Sequence, residues 1–200
     1  MESPPLSSKI LALSSLILVV LSAIILYLWQ QGEMMDFLAG LFSLEKIVQD
    51  VGYGVIGSIV LLLILLGFIA LRKTNLPNTK GVNDLVHLLQ SSSSSLYVIS
   101  IVAVIGEELF FRGVLLLLLS GFMPSWLAVV LISLVFIALH YKGQYEGQPY
   151  LLIYLFIMSL LTGFLTIEQG TLWSALIIHC VSNLASSICI RKNIIKIEQA

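Results

Sequence analysis

Six apolar windows run through this 200-residue chain: Ile10 to Trp29, Gly52 to Leu71, Ser94 to Leu118, Trp126 to Leu139, Pro149 to Thr166 and Leu172 to Ile190. A helix needs about 20 predominantly apolar residues to cross the hydrocarbon core of a bilayer, so each window reads as a membrane-crossing helix. A soluble globule fails on surface chemistry. Only 10% of the residues are charged against 58% hydrophobic, and mean hydropathy is +1.04. Ten basic and eleven acidic side chains cannot cover a water-exposed domain of this size. The expected fold is all-α: a polytopic transmembrane bundle of about six helices.

Basic residues orient it. With the amino terminus inside, six spans place Lys9, Arg72, Lys73, Lys80, Lys142, Arg191, Lys192 and Lys196 on the inner side and only Lys46 outside. Such an asymmetry follows the positive-inside rule and predicts a multi-pass protein of the cell membrane with both termini cytoplasmic. The first window is too long for a secretory h-region and lacks an A-x-A-like site, so it reads as a retained helix. Five consecutive serines, Ser91 to Ser95, read as a flexible linker. They divide an amino-terminal two-helix part (1–93) from a four-helix block (94–190), followed by a cytoplasmic tail (191–200). A net charge of −1 leaves no basic stripe for nucleic acid. Cys180 and Cys189, nine residues apart in one window, fall on opposite helix faces and read as small buried apolar residues, not as a bridge.

The third window is the exception to apolarity, because its interior carries Glu107, Glu108 and Arg112. Charges near the bilayer centre cost roughly 2.5–3.5 kcal/mol each, so they point into a bundle or cavity. On an α-helix Arg112 is about 40° from Glu108 but about 140° from Glu107. Arg112 should therefore pair with Glu108, which leaves Glu107 facing another helix, a metal or water. Gly106 and Gly113 flank these residues and can admit a neighbouring helix.

Two of the three histidines belong to the same block. His140 follows Phe136 by one turn, and His179 precedes Asn183 by one turn on the same face; His87 lies in a polar connection and reads as solvated. Glu107, His140, His179 and Asn183 can converge from three helices. A desolvated glutamate can act as general base on water, helped by one histidine, while another histidine and an amide donate to an oxyanion. The same Glu107, His140 and His179 can instead ligate zinc with an open water position. These residues leave the choice between no cofactor and Zn²⁺ open.

The pattern resembles the CAAX protease and bacteriocin-processing group of intramembrane proteases, also called the Abi family. Its motifs E-E-x-x-x-R, F-x-x-x-H and H-x-x-x-N appear here in order as Glu107-Glu108 to Arg112, Phe136 to His140, and His179 to Asn183, within 77 residues. The resemblance covers residues 94–190. It implies an endopeptidase in which Glu107 and His140 activate water and His179 and Asn183 stabilise the oxyanion, with Glu108, Arg112 and Phe136 in support. It further implies a peptide or membrane-associated protein as substrate, and a link to bacteriocin maturation or self-immunity. Other intramembrane proteases fit less well: no Asp lies in any window, and no H-E-x-x-H is present. Two readings of another class stand beside the enzyme: a proton-coupled transporter, since intramembrane Glu and His also mark proton relays, and a catalytically idle immunity or scaffold protein.

Overall fold

The computed structural model describes residues 8–91 and 98–197, which are helical over most of their length; the nearest thing to a sheet among them is one isolated parallel bridge, Leu76 to Ile197. In chain order the helices are α1 (Ser8–Gln30), α2 (Met34–Leu41), α3 (Ile47–Ala70), α4 (Lys80–Ser91), α5 (residues 98–120), α6 (Ser125–His140), α7 (Pro149–Gln169) and α8 (Trp173–Arg191). Four of them, α1, α3, α7 and α8, are each long and apolar enough to cross a membrane. Helix α6, with 16 residues, extends only about 24 Å. Helix α5 changes pitch along its length. It is π-helical over Val98–Ala103 and Leu109–Leu116 and α-helical over Val104–Glu108 and Leu117–Ser120. Wide π turns are rare and concentrate at functional sites; here they bracket Glu107 and Glu108. The architecture is thus a polytopic helical bundle.

Local chemistry sets the helix limits and the close approaches. Pro149 opens α7 at a position where its missing N–H is not needed, and Gly170 ends it in the left-handed region (φ 71°) with its N–H donated to Thr166 O at 2.9 Å. Helix α1 is peripheral: 17% of its most apolar window is buried, against 44% for α7. Its outward side chains, among them Leu13, Leu16 and Ile17, are exposed where lipid would lie. It nevertheless reaches the centre through Gly106 of α5, where an added Cβ would come within 2.8 Å of the Ser15 carbonyl oxygen. The Ser15 hydroxyl donates to Val102 O at 2.6 Å across that contact. Similarly, Gly54 and Gly57 of α3 let α8 approach through Ile177 and Ile178. The core runs between α3, α5, α6, α7 and α8, with Leu61, Phe111, Phe136, Met158 and Ile178 fully buried or nearly so.

Three sequence expectations change in detail. The polar connections between apolar windows, residues 30–51 and 72–93, are not plain loops: the first contains α2 and the second α4, whose Val82, Leu88 and Leu89 are buried while Asn83, His87 and Gln90 are exposed. This amphipathic helix lies along one end of the bundle, and apart from Ser91 the serine run falls outside the described residues. Asp50 falls inside a helix after all, because α3 begins at Ile47, five residues before the apolar window; Asp50 occupies its first turn, fully buried. Cys180 and Cys189 are unbridged, as expected, but half-buried instead of buried. The segment after α8 folds back, with Leu76 N–H donating to Lys196 O at 2.7 Å and Ile195 packed into the core.

Candidate active site

Glu107 from α5, His140 from the end of α6, and His179 and Asn183 from α8 line a single cavity of about 180 Å³. Leu65, Leu151, Leu155 and Met158 form apolar walls, and Leu76, Leu85 and Ile195 close the end towards α4. The polar groups therefore face a space largely screened from water, where charge interactions gain strength.

Behind the cavity stands a chain of buried contacts. His179 Nδ1 lies 2.6 Å from Glu108 Oε1; since a carboxylate only accepts, the ring N–H is the donor. The same oxygen lies 3.2 Å from Arg112 Nη1. Arg112 is held on two further sides, by a hydrogen bond from Nη2 to Ser159 Oγ at 3.0 Å and by the face of the Phe136 ring, 4.5 Å from its Cζ. Glu108 and Arg112 are 0% and 1% exposed, so each carries the other's counter-charge in a region water does not reach. Glu108, expected to pair with Arg112 alone, thus also holds His179.

Glu107 stands on the open side. Its Oε2 is 3.7 Å from His179 Nε2 and its side chain is 21% exposed, against 0% for Glu108. At that separation the two groups are joined by proximity, not by a direct hydrogen bond, and leave room for a third polar atom in contact with both. His140 is oriented by its own helix: Nδ1 lies 2.8 Å from Phe136 O, and the two rings lie with centroids 4.4 Å apart, tilted by 38°. A carbonyl also only accepts, so this Nδ1 carries a proton and Nε2 is left for other partners. Phe136 further touches His179 edge-on, with centroids 5.9 Å apart, and so spaces both histidines and Arg112 at once.

Two residues at this site carry no signal in the sequence. Ser159 is one of many serines in apolar helices, and only the packing of α7 on α5 brings it to Arg112. Tyr145 ends the π-helical turn Tyr141–Tyr145 that continues α6, and it lines the cavity. Among the described residues no three His, Cys, Asp or Glu side chains close around a point where an ion could sit.

Neither a curated protein nor a solved structure matches the chain. Residues 90–185 match the family model described as type II CAAX prenyl endopeptidase Rce1-like. That stretch takes in all of the cavity's Glu, His and Asn side chains as well as Glu108, Arg112 and Ser159. Over those 96 of its 200 residues the chain is similar to a family of endopeptidases.

Proposed function

We propose that the protein is an intramembrane endopeptidase in which Glu107 and His140 activate a water and His179 and Asn183 stabilise the oxyanion. The observation that carries this reading is the convergence of those four side chains on one cavity, with His179 anchored from behind by Glu108. Glu108 and Arg112 cancel in charge, so one proton on the Glu107–His179 pair leaves the buried site neutral overall. With that proton on His179, Glu107 is a carboxylate ready to act as base. As the water oxygen attacks the peptide carbonyl carbon, its proton passes to Glu107, while His140 Nε2 accepts a hydrogen bond from the same water. The neutral carboxyl then no longer competes for the His179 Nε2–H, which turns with the Asn183 amide to the developing oxyanion. On collapse the C–N bond breaks, and Glu107 returns the proton to the leaving amine.

The substrate in this reading is a peptide or a membrane-associated protein, and peptide maturation or bacteriocin self-immunity is the proposed setting. The site faces the cytoplasm, with both chain termini on that side. Comparative peptidomics of membranes holding wild type or Glu107→Gln tests it. Glutamine keeps volume and hydrogen bonding but removes the base, so product formation should fall about 10²–10⁴-fold with protein abundance intact. Wild-type product levels would refute the assignment, and loss of proton-coupled solute uptake instead of cleavage would support a relay. In the metal-independent chemistry proposed here, purified enzyme contains no stoichiometric zinc and survives chelators; loss of activity on chelation, restored by zinc, would overturn that part.

A further inference from the structure

Glu107, His140, His179 and Asn183 offer the reaction few hydrogen-bond donors. Each histidine has its Nδ1 proton committed, to Glu108 Oε1 and to Phe136 O, and His179 Nε2 faces Glu107 through most of the cycle. Of the four side chains assigned to the chemistry, that leaves only the Asn183 amide as a donor from the outset, whereas tetrahedral oxyanions are commonly held by two or more.

Tyr145 supplies the missing group. Its half-buried side chain lines the same cavity as Glu107, His140, His179 and Asn183. Its hydroxyl makes no hydrogen bond to any described residue, yet it lies close enough to Glu107 to feel the carboxylate. Resting on the protease reading above, we propose that the Tyr145 hydroxyl is a further catalytic residue, an O–H donor that joins Asn183 and His179 in binding the oxyanion of the tetrahedral intermediate. The phenol stays protonated throughout the working range: burial, the neighbouring Tyr154 and the Glu107 carboxylate push it up to about 12. A neutral donor suits the site better than a second cation, since the Glu107–His179 pair already balances its own charge. Tyr145 stands at the end of the wide π-helical turn that follows His140, at the cavity's edge.

Tyr145→Phe tests the role, because it removes only an oxygen that makes no hydrogen bond among the described residues. The assay uses the full chain in detergent micelles and the fastest-cleaved member of an internally quenched apolar peptide library, with Glu107→Gln and Tyr141→Phe as controls. Tyr141 is on the same turn, 42% exposed and away from the cavity. The expected result is a fall in kcat of about 10²-fold with KM and melting temperature unchanged, as for the loss of one oxyanion donor. Tyr141→Phe should keep the wild-type rate. Incorporating 3-fluorotyrosine at 145, which keeps the O–H, should restore turnover that Phe loses. A wild-type kcat for Tyr145→Phe beside an inert Glu107→Gln overturns the inference and leaves the protease reading standing; an active Glu107→Gln overturns the reading itself. A rise in KM alone, or a lowered melting temperature at unchanged kcat, would make Tyr145 a binding or packing residue and also overturn the proposal.

Discussion

Glu108 and Asp50 are both completely buried carboxylates, yet the regions around them are built for different ends. Asp50, in the first turn of α3, meets hydroxyls and backbone. Thr171 Oγ1 donates to its Oδ2 at 2.7 Å, and the Ser174 hydroxyl, with one proton, donates to its carbonyl oxygen at 2.7 Å while lying 2.6 Å from the Gln169 amide. Alongside, Leu172 N–H donates to Leu41 O and the Trp173 indole to Ser43 O. No basic side chain faces Asp50 in an ion pair among the described residues, and none of the cluster lines the cavity. The cluster ties the α2–α3 connection to the start of α8, where a carboxylate also suits the helix dipole. Glu108, by contrast, has a guanidinium on one side and an imidazole on the other, and that imidazole opens onto the cavity. Burial of a carboxylate is therefore not what marks a site; a partner with one nitrogen left over, facing a space, is.

The largest effect expected from breaking this contrast is at Arg112. Arg112→Ala leaves Glu108 buried without its counter-charge, a loss of roughly 3–5 kcal/mol, and should appear as loss of folded protein in membranes. Equal abundance together with normal turnover would show that the pair is dispensable and dissolve the distinction drawn above. Ser159→Ala is milder. It removes one hydrogen bond to a buried cation, about 1.5–3 kcal/mol, and frees Arg112 to shift against Glu108. Turnover should fall with KM unchanged, and Ser159→Thr, which keeps the hydroxyl, should recover most of it. If Thr and Ala behave alike, Ser159 acts through packing and not through Arg112.

What the sequence could and could not reveal follows from where each contact originates. Within one helix, spacing is geometry: Glu108 and Arg112, Phe136 and His140, and His179 and Asn183 are each four residues apart, and each set shares a face. Intrahelical periodicity and apolar length thus read out the bundle and the polar residues that meet at the cavity, including the partition of Glu107 from Glu108. Contacts between helices carry no such period. Nothing in the sequence tells Ser159 from its neighbours, or places Tyr145 at the cavity, because both depend on how α7 and the turn after α6 pack. The π pitch of α5 is invisible for a related reason: an α-helical wheel assumes 100° per residue, and it cannot register turns met by another helix, as where Ser15 of α1 donates to Val102 O in the first π stretch. The bond between Glu108 and His179, separated by 71 residues, was likewise beyond reach, so Glu108 read only as an ion-pair partner for Arg112.

The smallest effect is expected at Asp50, and it cuts the comparison most cleanly. Asp50→Ala removes the acceptor for Thr171 and a negative charge at the start of α8, together about 1–2 kcal/mol. Thr171 can turn its hydroxyl to another acceptor, and no cation is left uncompensated, so the loss stays well below that for Arg112. If the cluster only fastens helix ends, the variant should melt a few degrees lower, while the rate per folded molecule, on whichever peptide wild type cleaves, should not move. A kinetic defect at full folding would mean that the cluster bears on the cavity, through the α8 helix that carries His179 five residues beyond Ser174. Measuring the Asp50→Ala, Arg112→Ala double variant sharpens this further: separate clusters should give additive losses of stability, whereas a shortfall from additivity would show that the two buried carboxylates share one cooperative network along α8.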